Sequence, residues 1–94
     1  MRIQDFQKRI EDIYYERDSA RGLAGTYMWF GEEVGELTRA LRRGQVDELE
    51  GEFADVLAWL STLASMAGVD LERAALAKYE RGCPRCAATP CACP

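Results

Sequence analysis

A chain of 94 residues with a formal net charge of −4 has room for one domain, and its core is marginal unless a second copy helps to close it. Its 16 acidic against 12 basic residues argue against a nucleic-acid-binding surface. No apolar run is long enough to span a bilayer, and Met1-Arg2-Ile3-Gln4-Asp5 lacks the apolar stretch of a signal peptide. The expectation is therefore a cytoplasmic protein without a membrane partner.

The elements follow in chain order. Ile3, Phe6, Ile10, Ile13 and Tyr14 recur at spacings of three and four, which predicts a first helix from about Ile3 to Ala20. Arg21-Gly22 reads as its end and Leu23 to Thr26, with Gly25, as a connection or a loose first turn. A second helix is expected over Thr26 to Arg43, with Phe30, Val34, Leu37 and Leu41 as its apolar stripe. Gly31 and Gly35 weaken it by roughly 1 kcal/mol each, a cost usually met where a ligand or another backbone comes close.

Arg42-Arg43-Gly44 reads as a helix stop, with Gly44 suited to a left-handed cap and two cations at the negative end of the dipole. Asp47 with Glu50 three residues on reads as a capping box opening a third helix, Asp47 to Ala67. That helix is the most apolar and is expected to be central. Gly68 ends it, Asp70 caps a fourth helix from Leu71 to about Arg81, and Gly82 ends that. No alternating β pattern competes. The prediction is an all-α, up-down four-helix bundle over residues 1–82, completed by dimerisation, with a separate tail over 83–94.

The chemistry concentrates in two acidic stretches. Glu33 and Glu36 share one helix face, and Glu52 and Asp55 share another. With Gly44 at the turn, Glu36 and Glu33 stand roughly 12 and 17 Å from it, and Glu52 and Asp55 roughly 8 and 12 Å from Asp47 on the partner helix. Two carboxylate pairs at matching height on an antiparallel pair repel and resist ionisation. A divalent cation removes that conflict, and an all-carboxylate donor set favours Mg²⁺ or Mn²⁺. The plainer alternative is a solvated acidic face. Trp29 lies four residues before Glu33 and Trp59 four after Asp55, so each sits on the acidic face of its helix. They read either as core or as a stacking platform for a base.

All the cysteines lie in the tail, as Cys83-x-x-Cys86 and Cys91-x-Cys93. The spacing predicts a tetrahedral, structural Zn²⁺ site, since four protein ligands leave no open position for chemistry. Two disulfides are the alternative, disfavoured by a cytosolic setting and by the strain of a Cys-x-Cys bridge. A redox Cys-x-x-Cys lacks its usual strand context.

Glu32-Glu33-Val34-Gly35-Glu36, fifteen residues, then Glu52-Phe53-Ala54-Asp55 resembles the motif of the MazG-type all-α nucleoside triphosphate pyrophosphohydrolases. Ala77-Lys78-Tyr79 is similar to that family's phosphate-binding lysine region, and the resemblance runs from roughly Ile3 to Arg81. It makes residues 1–82 a pyrophosphohydrolase domain and leaves the cysteine tail outside the family pattern. It implies a helical bundle that dimerises and hydrolyses a nucleoside triphosphate to the monophosphate and pyrophosphate, in nucleotide-pool clean-up. By carry-over Glu33, Glu36, Glu52 and Asp55 bind Mg²⁺, Glu32 supports them or orients the attacking water, and Lys78, with Arg81 in second place, neutralises the phosphates. For Lys78 the alternative is a solvated surface lysine. A non-catalytic helical dimer whose zinc tail binds a partner protein is the competing function. A di-iron carboxylate bundle needs Glu-x-x-His ligands, and the chain has no histidine.

Overall fold

The computed structural model describes all 94 residues and contains three α-helices and no strand. They are α1 (Ile3–Arg43), α2 (Val46–Met66) and α3 (Leu71–Tyr79). The two helices expected before Gly44 run on without a loop and part where expected. They form one element, broken only at Gly22, whose φ of 83° and ψ of 169° are non-helical. Of the two readings of Leu23 to Thr26, the structure takes the first helical turn rather than the connection. A single glycine takes up the change of direction because it tolerates positive φ. The Thr26 hydroxyl donates to the Gly22 carbonyl at 2.7 Å, so the helix restarts with that carbonyl satisfied.

The turn between α1 and α2 forms as expected at Gly44, which has a φ of 69° and donates its amide to Ala40. The capping box does not form. Helix α2 opens earlier, on Gln45, whose carbonyl accepts from Leu49 at 3.0 Å. Asp47 and Glu48 lie in the first turn, where they favour the positive end of the dipole, and Glu48 pairs with Arg43 at 3.0 Å. At the far end Gly68 has a φ of 75°, and Val69 donates back to Ala64 at 2.8 Å. Asp70 caps α3 as read, accepting from the Arg73 amide at 3.0 Å.

Helix α2 packs along α1, and Gln7 pins the α2–α3 turn to it. The Gln7 amide donates to Ser65 Oγ at 3.1 Å and to the Val69 carbonyl at 2.8 Å, and its oxygen accepts from the Leu71 amide at 2.9 Å. What the single chain lacks is an apolar core. Only Ile10, Ala40 and Ala64 are buried among the apolar residues, while Phe53 remains 54% exposed and Leu57 and Leu60 are exposed beside it. Helix α2 therefore buries Ser61, Thr62 and Ala64 and leaves much of its broad apolar face open. The radius of gyration is 15.5 Å. A closed domain of this length has about 12 Å. No single helix is long and apolar enough to cross a membrane.

Candidate functional site

The antiparallel α1–α2 pair brings three of the expected carboxylates together. Glu33 and Glu36 from α1 and Glu52 from α2 each offer an oxygen, and these oxygens lie within 4.8 Å of one another. Asp55, one turn further along α2, stays outside that trio. It is still close enough for its charge to disfavour ionisation of both Glu33 and Glu52. Glu32 is exposed on α1 and is not one of the trio.

Glu33 Oε2 and Glu52 Oε2 are buried and have no hydrogen-bond partner. Burial pushes the Glu33 carboxyl above the usual carboxylate range, with the charges of Glu36, Asp55 and Glu52 adding to it. Glu52 moves the same way, by burial first and then through Glu36, Asp55 and Glu48. A buried carboxylate oxygen without a donor is costly and calls for a compensating positive charge. No arginine or lysine of this chain pairs with these acids. The donor set is all carboxylate, which fits a hard divalent cation.

Trp29 lies one turn before Glu33 on α1, and Trp59 one turn after Asp55 on α2. Trp29 and Trp59 stack with ring centroids 6.1 Å apart and planes 13° from parallel. Trp29 is 48% exposed, so it is not core. Beside them a cavity of about 250 Å³ lies between the N-terminal arm of α1 and α2. Asp55 and Trp59 line it on α2, and Tyr14, Arg17, Asp18 and Arg21 on α1. It therefore adjoins the carboxylates through Asp55.

A polar network supports this wall. Arg21 Nη1 donates to Asp18 Oδ1 at 3.0 Å and to Thr26 Oγ1 at 3.1 Å, and its guanidinium lies 4.9 Å from the Trp59 ring centroid. Asp18, only 8% exposed, also accepts from Thr62 Oγ1 at 3.2 Å. Sequence reasoning passed over these residues. Their signal was there: Ile10, Tyr14, Arg17, Asp18 and Arg21 continue one helical stripe, which turns from apolar to charged just before Gly22. Lys78 and Arg81 do not line this cavity. Lys78 lies 5.8 Å from the Tyr79 ring centroid, and Arg81 is exposed just past the end of α3.

The tail forms a second cluster. All four thiols are free, and their sulfurs lie within 4.8 Å of one another, an arrangement able to hold a metal ion. Cys83 stands 3.7 Å from Cys93 and 3.5 Å from Cys91, and Cys86 stands 4.0 Å from Cys91. Backbone amides point at sulfur: Ala92 at Cys86 (3.3 Å) and Cys93 at Cys91 (3.4 Å). The amides of Cys86 and Arg85 lower the Cys83 thiol to about 6, and those of Ala92 and Ala88 lower Cys86. Contacts with Cys91, Cys83 and Cys86 raise Cys93 to about 11, so the cluster resists carrying several thiolates without a cation.

The MazG nucleotide pyrophosphohydrolase domain matches residues 23–87. That span holds the carboxylates, both tryptophans and α3, and leaves out the arm of α1 before Gly22. No curated protein matches the chain. With more than half of its length matched, and with an all-helical fold that brings together acids from both halves of the motif, the chain belongs to the MazG nucleotide pyrophosphohydrolase family.

Proposed function

We propose that this protein hydrolyses a nucleoside triphosphate, ribose or deoxyribose, between the α- and β-phosphates, releasing the monophosphate and pyrophosphate. The observation that carries this is the pair of buried, partnerless oxygens on Glu33 and Glu52, drawn together with Glu36. Glu33, Glu36 and Glu52 would hold Mg²⁺ or Mn²⁺, with Asp55 beside them. When bound, such a cation neutralises phosphate charge and makes a coordinated water more acidic.

The chain's own residues do the positioning. Trp29 and Trp59 offer a flat apolar surface to a base. Asp55 and Glu32 accept hydrogen bonds from water and orient it toward phosphorus. Lys78 and Arg81 are the cations assigned to the phosphates.

The working unit is a homodimer or larger homo-oligomer. A single chain buries only three apolar residues and leaves Phe53, Leu57 and Leu60 exposed, a face that a second copy covers. The tail thiols stand apart from the chemistry and enter the proposal as a structural zinc site. The role is removal of unwanted nucleotides from the pool. The test is a panel of nucleoside triphosphates with Mg²⁺, assayed for pyrophosphate. Release that stops in Glu36→Gln and Asp55→Asn supports the reading. Orthophosphate alone, or no product from any nucleotide, overturns it.

A further inference from the structure

Helix α3 buries no residue of its own. Its ties to the rest of the chain are polar and crowd its first turn. Asp70 accepts from the Gln4 side chain at 3.0 Å, Glu72 pairs with Arg2 and accepts from the Gln4 amide at 3.2 Å, and Leu71 donates to Gln7. Beyond Glu72 the helix makes no side-chain hydrogen bond or ion pair to another element. Nine residues held at one end only are too few for a stable helix in water. Something must hold the other end.

The tail begins there. Gly82 donates to the Tyr79 carbonyl at 3.1 Å and turns the chain with a φ of 111°. The tail folds back against it: a Cβ at position 82 would meet Thr89 Oγ1 at 2.6 Å and the Ala88 carbonyl at 2.8 Å. Cys83 donates to Ala88 at 3.0 Å, and Ala87, at a φ of 59° unusual for alanine, donates back to Cys83 at 2.6 Å. This closed turn presents all four sulfurs to one point. Tetrahedral Zn²⁺ with Zn–S bonds of about 2.3 Å needs sulfurs about 3.8 Å apart. Three of the separations here are 3.5, 3.7 and 4.0 Å, and all lie within 4.8 Å. A disulfide would need about 2.05 Å.

We propose that Zn²⁺ bound by Cys83, Cys86, Cys91 and Cys93 is a staple for the C-terminal end of α3, and that its loading keeps Lys78 and Arg81 in one presentation. The staple takes the structural zinc of the functional reading and gives it a task. Metal binding is folding free energy for a segment that has no core. The zinc site and the carboxylate site differ in softness, so they load independently.

The test uses the full chain. Metal analysis should find about one zinc per chain on the four-ligand model, lost in a Cys83→Ser/Cys91→Ser double variant. Substitution with Co²⁺ should give the charge-transfer and d–d bands of a tetrahedral thiolate site. Hydrogen exchange of amides 73–81 should quicken roughly tenfold or more in the double variant or in stripped protein, with α1 and α2 unchanged. With Mg²⁺ resupplied, the stripped protein should show a several-fold higher KM for the triphosphate at a similar kcat. Two disulfides in the purified protein, or zinc bound with α3 exchange unchanged by its removal, would overturn the proposal. Metal content and exchange are read without turnover, so failure of the hydrolase reading and failure of the staple appear in different assays.

Discussion

Replacing Glu33 by Gln should stabilise the metal-free protein and abolish its response to Mg²⁺. In the wild type, Glu33 Oε2 is buried without a donor, and three other acids stand near it. A glutamine keeps the shape, removes one like charge and brings two N–H donors to neighbouring carboxylates. Relief of one unsatisfied buried acceptor amounts to about 1 kcal/mol after allowance for its partial exposure. For a domain of this size that raises Tm by about 4–8 °C. The pH dependence has a definite sign. Glu33 titrates above the ordinary carboxylate range when folded, so the folded state holds its proton longer than the unfolded chain does. The penalty is therefore absent below the ordinary range, grows through the window up to the raised value, and is complete above it. The advantage of Glu33→Gln should accordingly be greatest at high pH and shrink as pH falls into the ordinary carboxylate range. Adding Mg²⁺ should raise the wild-type melting point and leave the variant where it was. Scanning calorimetry of both proteins with and without Mg²⁺ decides it. A variant that melts below the metal-free wild type at pH 7, or that gains as much from Mg²⁺, would refute the reasoning.

Arg21→Met should cost about 3 kcal/mol, since it leaves buried Asp18 with Thr62 as its only remaining partner, and denaturant unfolding measures this directly. The same variant should blue-shift or brighten tryptophan fluorescence, because Arg21 lies against Trp59. Ala87→Gly should tighten the tail by about 1 kcal/mol by relieving a left-handed alanine, read as a higher zinc affinity in competition with a chelator. Gly82→Ala should do the reverse, loosening zinc, since its Cβ would meet both Thr89 and Ala88. Trp59→Ala should raise KM more than it lowers kcat in a pyrophosphate assay, as a stacking surface lost from binding would.

Several features were legible because they are local. Gly44 and Asp70 do what their positions along the chain require, one as a left-handed cap and the other as an N-cap. The heights of Glu33, Glu36 and Glu52 follow from helix rise and a tight turn, so their meeting was calculable. What failed depended on competition between neighbours. Gly22 does break the helix as read, but Thr26 satisfies its carbonyl, so the next helix begins at once with no connection between them. Asp47 looked like a cap, but the Gln45 carbonyl captured Leu49 first. Asp55 sits outside the oxygen trio although helix rise puts it level with Glu36, so rise alone does not decide which carboxylates meet. The stripe that carries Asp18 and Arg21 was visible in the sequence, but their link to Thr62 was not, since it depends on which face of α2 meets the arm of α1. The apolar periodicity of α2 was plain, and a single chain leaves much of that face exposed.

The proposed chemistry needs Glu33, Glu36 and Glu52 to grip a hard cation. The most direct measurement is Mn²⁺ titration of the zinc-loaded protein, followed by the loss of the free-ion paramagnetic resonance signal. Saturable binding in the wild type that disappears in Glu36→Gln is the predicted result. Equal binding by both proteins, or none by the wild type with or without nucleotide, would contradict it.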